Sequence, residues 1–445
     1  MSLFKNYKSG IESVLSRSEQ KFQKGIKSPY ILLNQSTETF SSLPTTIEPD
    51  SKTILEFDSN QLQKYFGPNK YSFDTIKIGN HPDFENLEHN QTLNHHCVSM
   101  FVDIKGSTRL ALKYSLEEVR LIKDTLLTLC INVVSHFGGH VHRLQGDAVF
   151  VQFVRKNSNP NNSVINALNS ASVLCQVVSE DLSSAFENYG LDPIKIRVGL
   201  DYGNDDNVMW SHYGIANCNE LTTTSLHTDL AAKLQNKASV NSIRIGKNLV
   251  DAIEMNEDYI SIPTVKKNGQ PVEDRYIIQS SELNYCQFDF SWKKYLNSFS
   301  FYRKNGSGNL EIVDNPFTLK ASVYRPKQES TASQYYENNY SILKGKYIKY
   351  QLMINGSPYY KKPHEKIIWE AFNSGKEAKL ANEERHNFEN FYLNQTYCIA
   401  HAGYHGNHYL KCTIQREHTN NIVLKFPIYV DDKLDTDINL NNILN

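Results

Sequence analysis

The sequence predicts an α+β fold, with a ferredoxin-like antiparallel sheet that carries helices and is followed by a β-rich C-terminal domain. Between about residues 95 and 200 the predicted order is strand, helix, strand, strand, helix, strand, which is typical of ferredoxin-like sheets. The character of the chain changes from about residue 281, and residues 320–445 are rich in Tyr and β-branched residues. A chain of 445 residues is long enough for two or three domains. The expected divisions are an accessory segment at 1–92, a central domain at 93–280, a linker at 281–319 and a β-rich domain at 320–445.

The elements of the central domain follow from its hydrophobic periodicity. Residues 98–102 form an apolar run of strand formers. Residues 108–137 are predicted to be largely helical, because their apolar side chains recur at spacings of three and four. A strand pair then turns near Asp147, and residues 164–186 form a second amphipathic helix. Residues 194–200 alternate with period two, as a half-buried strand does.

The flanking segments carry no obvious chemistry. Residues 1–92 are expected to be helical and loop segments. Within 320–445, the strand-like runs 409–415 and 422–430 frame the polar residues 417–421, which predicts a hairpin.

Composition gives no sign of a nucleic-acid or membrane partner. Lys and Arg number 47 against 48 Asp and Glu, so no binding of nucleic acid is evident. The seven cysteines form no Cys-x-x-Cys pair, and Cys130 and Cys175 fall in apolar helical patterns typical of core residues. An odd count suits a reducing compartment. No apolar run approaches the roughly 18 residues of a membrane span, and no signal peptide is evident. We therefore expect a cytoplasmic protein without membrane insertion.

Two aspartates stand at the edges of predicted strands. Asp103 ends an apolar strand and precedes the turn 106–108, whose backbone N–H groups can face an anion. Asp147 follows Gly146 in a tight hairpin. If the two strands are neighbours, two carboxylates converge beside a phosphate-binding turn, which predicts a two-metal, triphosphate-handling site. The alternative is that each Asp caps a turn.

The segments that carry these aspartates resemble a known family. Residues 101–108, Phe-Val-Asp-Ile-Lys-Gly-Ser-Thr, and 143–147, Arg-Leu-Gln-Gly-Asp, are similar to the metal-binding core of class III nucleotidyl cyclases. The likeness continues in 196–203 and 229–234, in the family order, and covers roughly 95–280. The resemblance implies the class III cyclase fold and conversion of a nucleoside triphosphate to its 3′,5′-cyclic monophosphate plus pyrophosphate.

The resemblance also implies how metal and phosphate are held. Asp103 and Asp147 would bind two divalent cations, Mn²⁺ or Mg²⁺, and the carbonyl of Ile104 would complete the ligand set. One cation would lower the pKa of the 3′-hydroxyl, and the other would clamp the β- and γ-phosphates. The terminal phosphates would lie on the backbone of four residues: Lys105, Gly106, Ser107 and Thr108.

Two further positions depart from the family pattern. Where the family has an Asn and an Arg on one helix, this chain has Asp229 and Lys233. Lys keeps the positive charge but loses the bidentate fork of Arg. An ionised Asp accepts a hydrogen bond from a ribose hydroxyl but cannot donate one. The alternative is an ordinary i,i+4 ion pair on a helix surface.

The base-recognition positions are Arg143 and Thr222. Adenylate-forming relatives have Lys at the first position, and guanylate-forming relatives tend to use Glu and Cys. The five-donor fork of Arg suits acceptors such as O2 and N3 of cytosine or O2 and O4 of uracil. With the C-terminal module, expected to be a sensor, this resembles the pyrimidine cyclases of the bacterial Pycsar anti-phage system. Their cyclic CMP or cyclic UMP acts on a separate effector protein.

The expected substrate is therefore CTP or UTP, with CTP slightly favoured. Two alternatives remain open. Arg143 could replace Lys in an adenylate cyclase that makes cAMP, or the chain could be a catalytically silent nucleotide-binding or sensor protein. In the resembling fold each active site joins halves of two subunits, which implies a homodimer with composite sites. The histidines show no zinc spacing with Cys, so His140 and His142 are expected to pack or to be solvated.

Overall fold

The computed structural model describes residues 7–9, 11–13, 16, 60–278, 283–417 and 419–432. Most of the accessory segment before residue 60, and the part of the C-terminal domain after residue 432, lie outside the described residues. The helices are α1 Asn60–Phe66, α2 Ser107–Lys113, α3 Leu116–His136, α4 Pro160–Gln176, α5 Ser183–Asn188, α6 Leu226–Lys237, α7 Lys247–Ala252, α8 Trp292–Leu296, α9 Lys376–Leu380 and α10 Glu389–Tyr392. A π-helical turn, Val177–Leu182, joins α4 to α5.

The strands of the first two thirds of the chain are β1 Thr92–Asn94, β2 Cys97–Ile104, β3 Gly139–Gln145, β4 Ala148–Phe153, β5 Ile196–Gly203, β6 Met209–Ile215, β7 Cys218–Thr224, β8 Ser242–Gly246, β9 Ile260–Ser261, β10 Thr264–Lys267, β11 Gln270–Glu273, β12 Tyr276–Ile278, β13 Leu283–Tyr285 and β14 Gln287–Phe290. The later strands are β15 Tyr302–Lys304, β16 Leu310–Ile312, β17 Phe317–Tyr324, β18 Ser333–Tyr335, β19 Ile342–Leu343, β20 Tyr347–Ile354, β21 Ser357–Pro358, β22 Glu365–Phe372, β23 Arg385–Asn387, β24 Tyr397–His401, β25 Gly406–Arg416 and β26 Ile422–Asp431.

The central sheet has seven strands in the order β3-β4-β2-β5-β8-β14-β9. Its first four strands come from the unit β2-α3-β3-β4-α4-β5, and each pairs antiparallel with its neighbour. This is the ferredoxin-like arrangement, so the predicted α+β fold class is confirmed. The extension beyond β5 begins with β8, which pairs parallel to it.

The two faces of β2 have different partners. Val98, Met100 and Val102 are buried in the main core together with the apolar stripes of α3 and α4. The alternate residues face α6, since Ser99 bonds Thr228 at 2.9 Å and Asp103 accepts from Gln235. Because side chains alternate across a strand, Asp103 lies on the α6 side of the sheet.

The C-terminal region is β-rich, as predicted. It contains two five-stranded sheets, one built on β17 and β20 and the other on β22, β25 and β26, and they share a second hydrophobic core. The predicted hairpin is confirmed by the antiparallel pairing of β25 with β26. The segment 281–319, expected as a linker, contains ordered elements, and its β14 joins the central sheet by pairing with β8 and β9.

A buried row of asparagines on α4 connects the central domain to the C-terminal region. Asn161 donates to Asp431 at 2.7 Å, and Asn162 accepts from the backbone N–H of Ser341 at 2.7 Å. About two helical turns further along α4, Asn169 donates to the carbonyl of Asn338 at 3.0 Å. Hydrogen-bonded amides in a buried contact fix the relative register of the two surfaces.

All seven cysteines are free thiols, and Cys130 and Cys175 are fully buried, as predicted. Within the described part of the chain, no helix has the length and apolar character needed to cross a membrane.

Candidate active site

The structure brings Asp103 and Asp147 together. Asp103 lies on β2 and Asp147 lies in the turn just before β4, and β2 pairs with β4 in a register that sets Val102 opposite Val149. The hairpin turn before Asp147 depends on Gly146, whose φ of 68° favours glycine. Burial, and then the nearby carboxylate of Asp103, raise the pKa of Asp147.

Three residues that the sequence did not single out surround this pair. Arg197 on β5 stands directly across from Asp103 in the register and donates to it at 2.7 Å. Gln235 of α6 donates to the same carboxylate oxygen at 3.2 Å. The ammonium of Lys123 on α3 lies 3.9 Å from Asp147. Arg197 falls within the family-like segment 196–203, which was the available signal for it.

The donor set fits a divalent cation. The Oδ2 atom of Asp147 is buried and has no hydrogen-bond partner among the described residues. An ionised carboxylate oxygen is costly to bury alone, and hard cations prefer oxygen ligands. Ile104 ends β2 beside Asp103, where its carbonyl is a neighbouring oxygen.

The turn after β2 places backbone donors beside the pair. Gly106 has a φ of 81° and precedes α2 without any side-chain cap on the helix. The N–H of Lys105 donates to the carbonyl of Lys195 at 2.7 Å, so the donors left for a ligand follow it in the chain. A hydrogen bond from Ser107 acts on the carboxyl of Asp147 and lowers its pKa against the larger raising effect of burial. Thr108 is exposed.

Asp229 and Lys233 lie on the outer face of α6. Leu230 and Leu234 are buried against the sheet, whereas Asp229 and Lys233 are exposed. Since each helical residue turns by about 100°, Lys233 is about 200° around the helix from Gln235, which faces Asp103. The structure therefore does not bring Asp229 and Lys233 to the aspartate pair of the same chain.

A buried polar network anchors the start of α6. His227 contacts the carboxylate of Asp201 at 2.9 Å, and the hydroxyl of Tyr285 donates to the same carboxylate at 2.8 Å. Asn248 contacts the other ring nitrogen of His227 at 3.0 Å. Burial raises the pKa of Asp201, opposed by its partners. The network fixes the helix two residues before Asp229, and no sequence motif indicated it.

Arg143 lies against the strand that carries Thr222. Its guanidinium binds both carboxylate oxygens of Glu220 on β7, with one contact of 3.0 Å. Glu220 and Thr222 lie on the same face of β7 because they are two residues apart. His142 also contacts Glu220, at 3.0 Å. The structure thus places Arg143 against the strand of Thr222 and adds Glu220, which accepts from the Nε and Nη2 donors of Arg143.

Comparisons with known proteins identify the family. Over 404 residues the chain is 36% identical to a cytidylate cyclase of Staphylococcus aureus, covering 90% of each chain. The chain belongs to the cytidylate cyclase family. A cytidylate cyclase of Escherichia coli is 36% identical over 321 residues, which are 70% of this chain and 67% of the relative. The predicted resemblance is confirmed, and the chain is a nucleotide cyclase that makes a cyclic nucleotide.

The C-terminal part of this family member matches a separate family model, the adenylyl/guanylyl and SMODS C-terminal sensor domain, over residues 290–431. Among solved structures, the adenylyl cyclase CyaB from P. aeruginosa is similar to 45% of this chain and 95% of its own, with 17% identity and a TM-score of 0.38. The guanylate cyclase domain of RhGC from Catenaria anguillulae has 14% identity and a TM-score of 0.36 over 45% of this chain and 97% of its own.

Proposed function

We propose that this chain converts CTP to 3′,5′-cyclic CMP and pyrophosphate by two-metal catalysis at Asp103 and Asp147. The observation that carries the proposal is the convergence of these carboxylates, with one buried oxygen of Asp147 left without a hydrogen-bond partner among the described residues. The choice of CTP over UTP is supported by the names of the relatives, all three of which are cytidylate cyclases.

Each group at the site has a role in this reaction. Asp103, Asp147 and the carbonyl of Ile104 would hold Mg²⁺ or Mn²⁺. When bound, these cations make the 3′-hydroxyl more acidic and offset charge on the leaving pyrophosphate. Arg197 and Gln235 are positioning residues, since they fix the carboxylate of Asp103 through hydrogen bonds.

Phosphate and ribose would be held by the remaining predicted residues. The N–H groups of residues 106–108 face the terminal phosphates at the start of α2. The charge of Lys233 would stabilise the negative phosphorus centre of the transition state, and Asp229 would accept from a ribose hydroxyl. Both side chains point away from the metal aspartates of their own chain, so they would serve the site of a second copy. The active unit is then a homodimer with two composite sites.

Base choice would depend on Arg143 and Thr222. The guanidinium of Arg143 is held by Glu220, so it is oriented before substrate arrives, with donors left over from its five N–H groups. A base carbonyl and ring nitrogen could accept from those donors, and Thr222 lies along the same strand face. An adenylate cyclase is the second candidate, because a cation at position 143 could also serve an adenine pocket.

The biological setting completes the proposal. The cyclic nucleotide would act on a separate effector protein in anti-phage defence, inside the cytoplasm. The match of residues 290–431 to a sensor domain supports a chain that detects a signal before it synthesises the cyclic nucleotide.

A single assay separates the candidates. Purified full-length protein is incubated with each of the four nucleoside triphosphates and Mn²⁺, and the products are identified by mass spectrometry. Cyclic CMP as the main product supports the proposal. Cyclic AMP as the main product would establish the second candidate, and no product from any triphosphate would favour a silent nucleotide-binding protein.

A further inference from the structure

Two adjacent histidines and an aspartate converge at a place remote from the catalytic aspartates. The Nδ1 atoms of His95 and His96 lie 3.3 and 3.4 Å from the same carboxylate oxygen of Asp205. One potential ligand atom from each of the three residues falls within 4.8 Å of the others. Both imidazoles are largely buried, whereas the Asp205 side chain is 66% exposed.

The cluster lies at the opposite end of the strands that carry the active site. His95 and His96 come directly before β2, and Asp205 follows the end of β5, where Cys97 stands opposite Gly203. Asp103 is seven residues further along β2, which at about 3.3 Å per residue is on the order of 20 Å away. The cluster is therefore a separate site.

The backbone around the cluster is fixed. The N–H of His95 donates to the carbonyl of Val208 at 3.1 Å, and the indole of Trp210 donates to the carbonyl of His95 at 3.0 Å. The N–H of His96 donates to the carboxylate of Asp205 at 2.7 Å. These contacts fix the backbone of both histidines without using an imidazole nitrogen, and one of them also holds the Asp205 carboxylate beside His96.

His95 offers its Nδ1 atom as a ligand in one of its two neutral tautomers. Its Nε2 atom lies 3.5 Å from the carbonyl of Arg155, which can only accept, so the tautomer protonated at Nε2 donates to that carbonyl and leaves the Nδ1 lone pair towards Asp205. The lone pair on Nδ1 then faces a carboxylate oxygen, an arrangement that a cation between them would stabilise. A backbone carbonyl on the remote nitrogen is the usual support of a metal-binding histidine.

The two nitrogen–oxygen separations also match a tetrahedral coordination shell, and the three potential ligand atoms all lie within 4.8 Å of one another. Ligands bound at about 2.0–2.1 Å in a tetrahedron stand about 3.3–3.4 Å apart. That is the spacing of both nitrogens from the Asp205 oxygen. By contrast, His140 and His142 both contact the carbonyl of Gly79, at 2.8 and 3.0 Å, and pack as predicted.

We propose that His95, His96 and Asp205 form a binding site for a divalent transition metal of the Zn²⁺ class. Two imidazoles and one carboxylate suit Zn²⁺ better than Mg²⁺, which prefers an all-oxygen shell. Water would fill the fourth position, since Asp205 faces solvent. The metal would tie the start of β2 to the loop after β5 and so brace the two strands that carry Asp103 and Arg197.

The test measures Zn²⁺ bound to the purified full-length protein by equilibrium dialysis, in a large excess of Mg²⁺ that occupies the catalytic aspartates. The key variant is Asp205→Asn, which keeps an oxygen to accept from His96 but removes the charged ligand. The matched control is Asp206→Asn, an exposed neighbour with the same change of charge. His95→Gln is the second variant, and circular dichroism checks the fold of each.

We expect one equivalent of Zn²⁺ per chain in the wild type and in Asp206→Asn, with a raised thermal midpoint on Zn²⁺ addition. Asp205→Asn and His95→Gln should bind at least about tenfold more weakly, because loss of even an outer-shell partner costs about 10- to 100-fold. The proposal is overturned if the wild type binds no stoichiometric Zn²⁺, or if Asp205→Asn binds it as tightly as Asp206→Asn.

Discussion

Buried carboxyl groups in this protein differ in what surrounds them. Asp201 is satisfied by His227 and Tyr285, and Glu337 accepts from the hydroxyl and N–H of Ser300. Asp147 instead retains one oxygen without a partner among the described residues. A satisfied buried carboxyl stabilises a fold, whereas an unsatisfied one beside a second carboxylate indicates a ligand.

Glu337 should make stability depend on pH. Burial raises its pKa from 4.5 to about 8, so the folded protein retains a proton that the unfolded chain loses. The associated stability is complete below pH 4.5 and is lost as pH rises towards 8, by at most about 1.4 kcal/mol per pH unit. Glu337→Gln should reduce this loss in urea unfolding at pH 5.5, 7 and 8.5. The exposed control Glu85→Gln should show the same dependence of unfolding free energy on pH as the wild type. The same pH dependence in Glu337→Gln as in the wild type would show that Glu337 is not its source.

The metal ligands give the sharpest activity prediction. Asp103→Ala or Asp147→Ala should abolish cyclic nucleotide formation and leave the fold intact, because no neighbouring carboxylate replaces the one removed. Turnover by mass spectrometry and circular dichroism are the measurements, with the exposed Asp74→Ala as control. A mutant within about tenfold of wild type, a barrier change of only about 1.4 kcal/mol, would refute the two-metal site.

Base selectivity should depend on the guanidinium donors of Arg143 that Glu220 leaves free. Arg143→Ala should lower kcat/KM for CTP by about ten- to a hundredfold, since one bidentate base contact contributes roughly 1–3 kcal/mol. Residual purine turnover should stay level or rise. Arg143→Lys keeps the positive charge but lacks the planar paired donors of the guanidinium, so it should recover little of the lost kcat/KM for CTP. Equal losses for all four triphosphates would show that Arg143 does not read the base.

At the scale of elements, periodicity and turn residues predicted the central unit well. The apolar run of residues 98–102 and the stripe of α3 are local patterns, and both elements formed where expected. The register that sets Arg197 opposite Asp103 could not be predicted, because it depends on pairing between strands about ninety residues apart. The ion pair of Arg143 with Glu220 was missed for the same reason, since contacts distant in sequence leave no local pattern.

The close packing of α6 on β5 depends on Gly199. A Cβ at this position would collide with the backbone of Ala231 and Gln235. Gly199→Ala should therefore displace α6 and destabilise the protein by about 1–3 kcal/mol, the usual cost of overpacking. Activity should fall even at temperatures where the variant is folded, because Gln235 would leave Asp103. Thermal unfolding and turnover are compared with Gly306→Ala, whose Cβ would meet open space. If Gly199→Ala had the thermal midpoint and turnover of the wild type, the packing of α6 on β5 would not depend on Gly199.

At the scale of the whole molecule, the sensor-like region and the cyclase sheet are joined by buried polar contacts. Asn161 on α4 donates a hydrogen bond to Asp431, and Asn169 donates one to the carbonyl of Asn338, so both ends of this interface are hydrogen-bonded. A linker is predicted for residues 281–319, whereas β14 of that segment pairs with β8 in the central sheet. A strand of four residues carries little periodicity, so its pairing could not be predicted from the sequence.

The composite site is tested by mixing inactive subunits. Asp229 and Lys233 face away from the aspartate pair of their own chain, so in the proposed composite site Asp103 and Asp147 come from one copy and Lys233 from another. Asp147→Ala and Lys233→Ala proteins should each be inactive. After subunit exchange, one of the two sites in a mixed dimer has both mutations and the other has none. When the two proteins are combined in equal amounts, half of the dimers contain one chain of each, and half of the sites in those dimers are intact. Activity should therefore recover to about a quarter of wild type. Exchange is verified by native mass spectrometry, and mixing Asp147→Ala with Asp103→Ala is the control, since no site there is complete. Proven exchange without recovery would mean that each site is built within one chain or that Lys233 is not part of it.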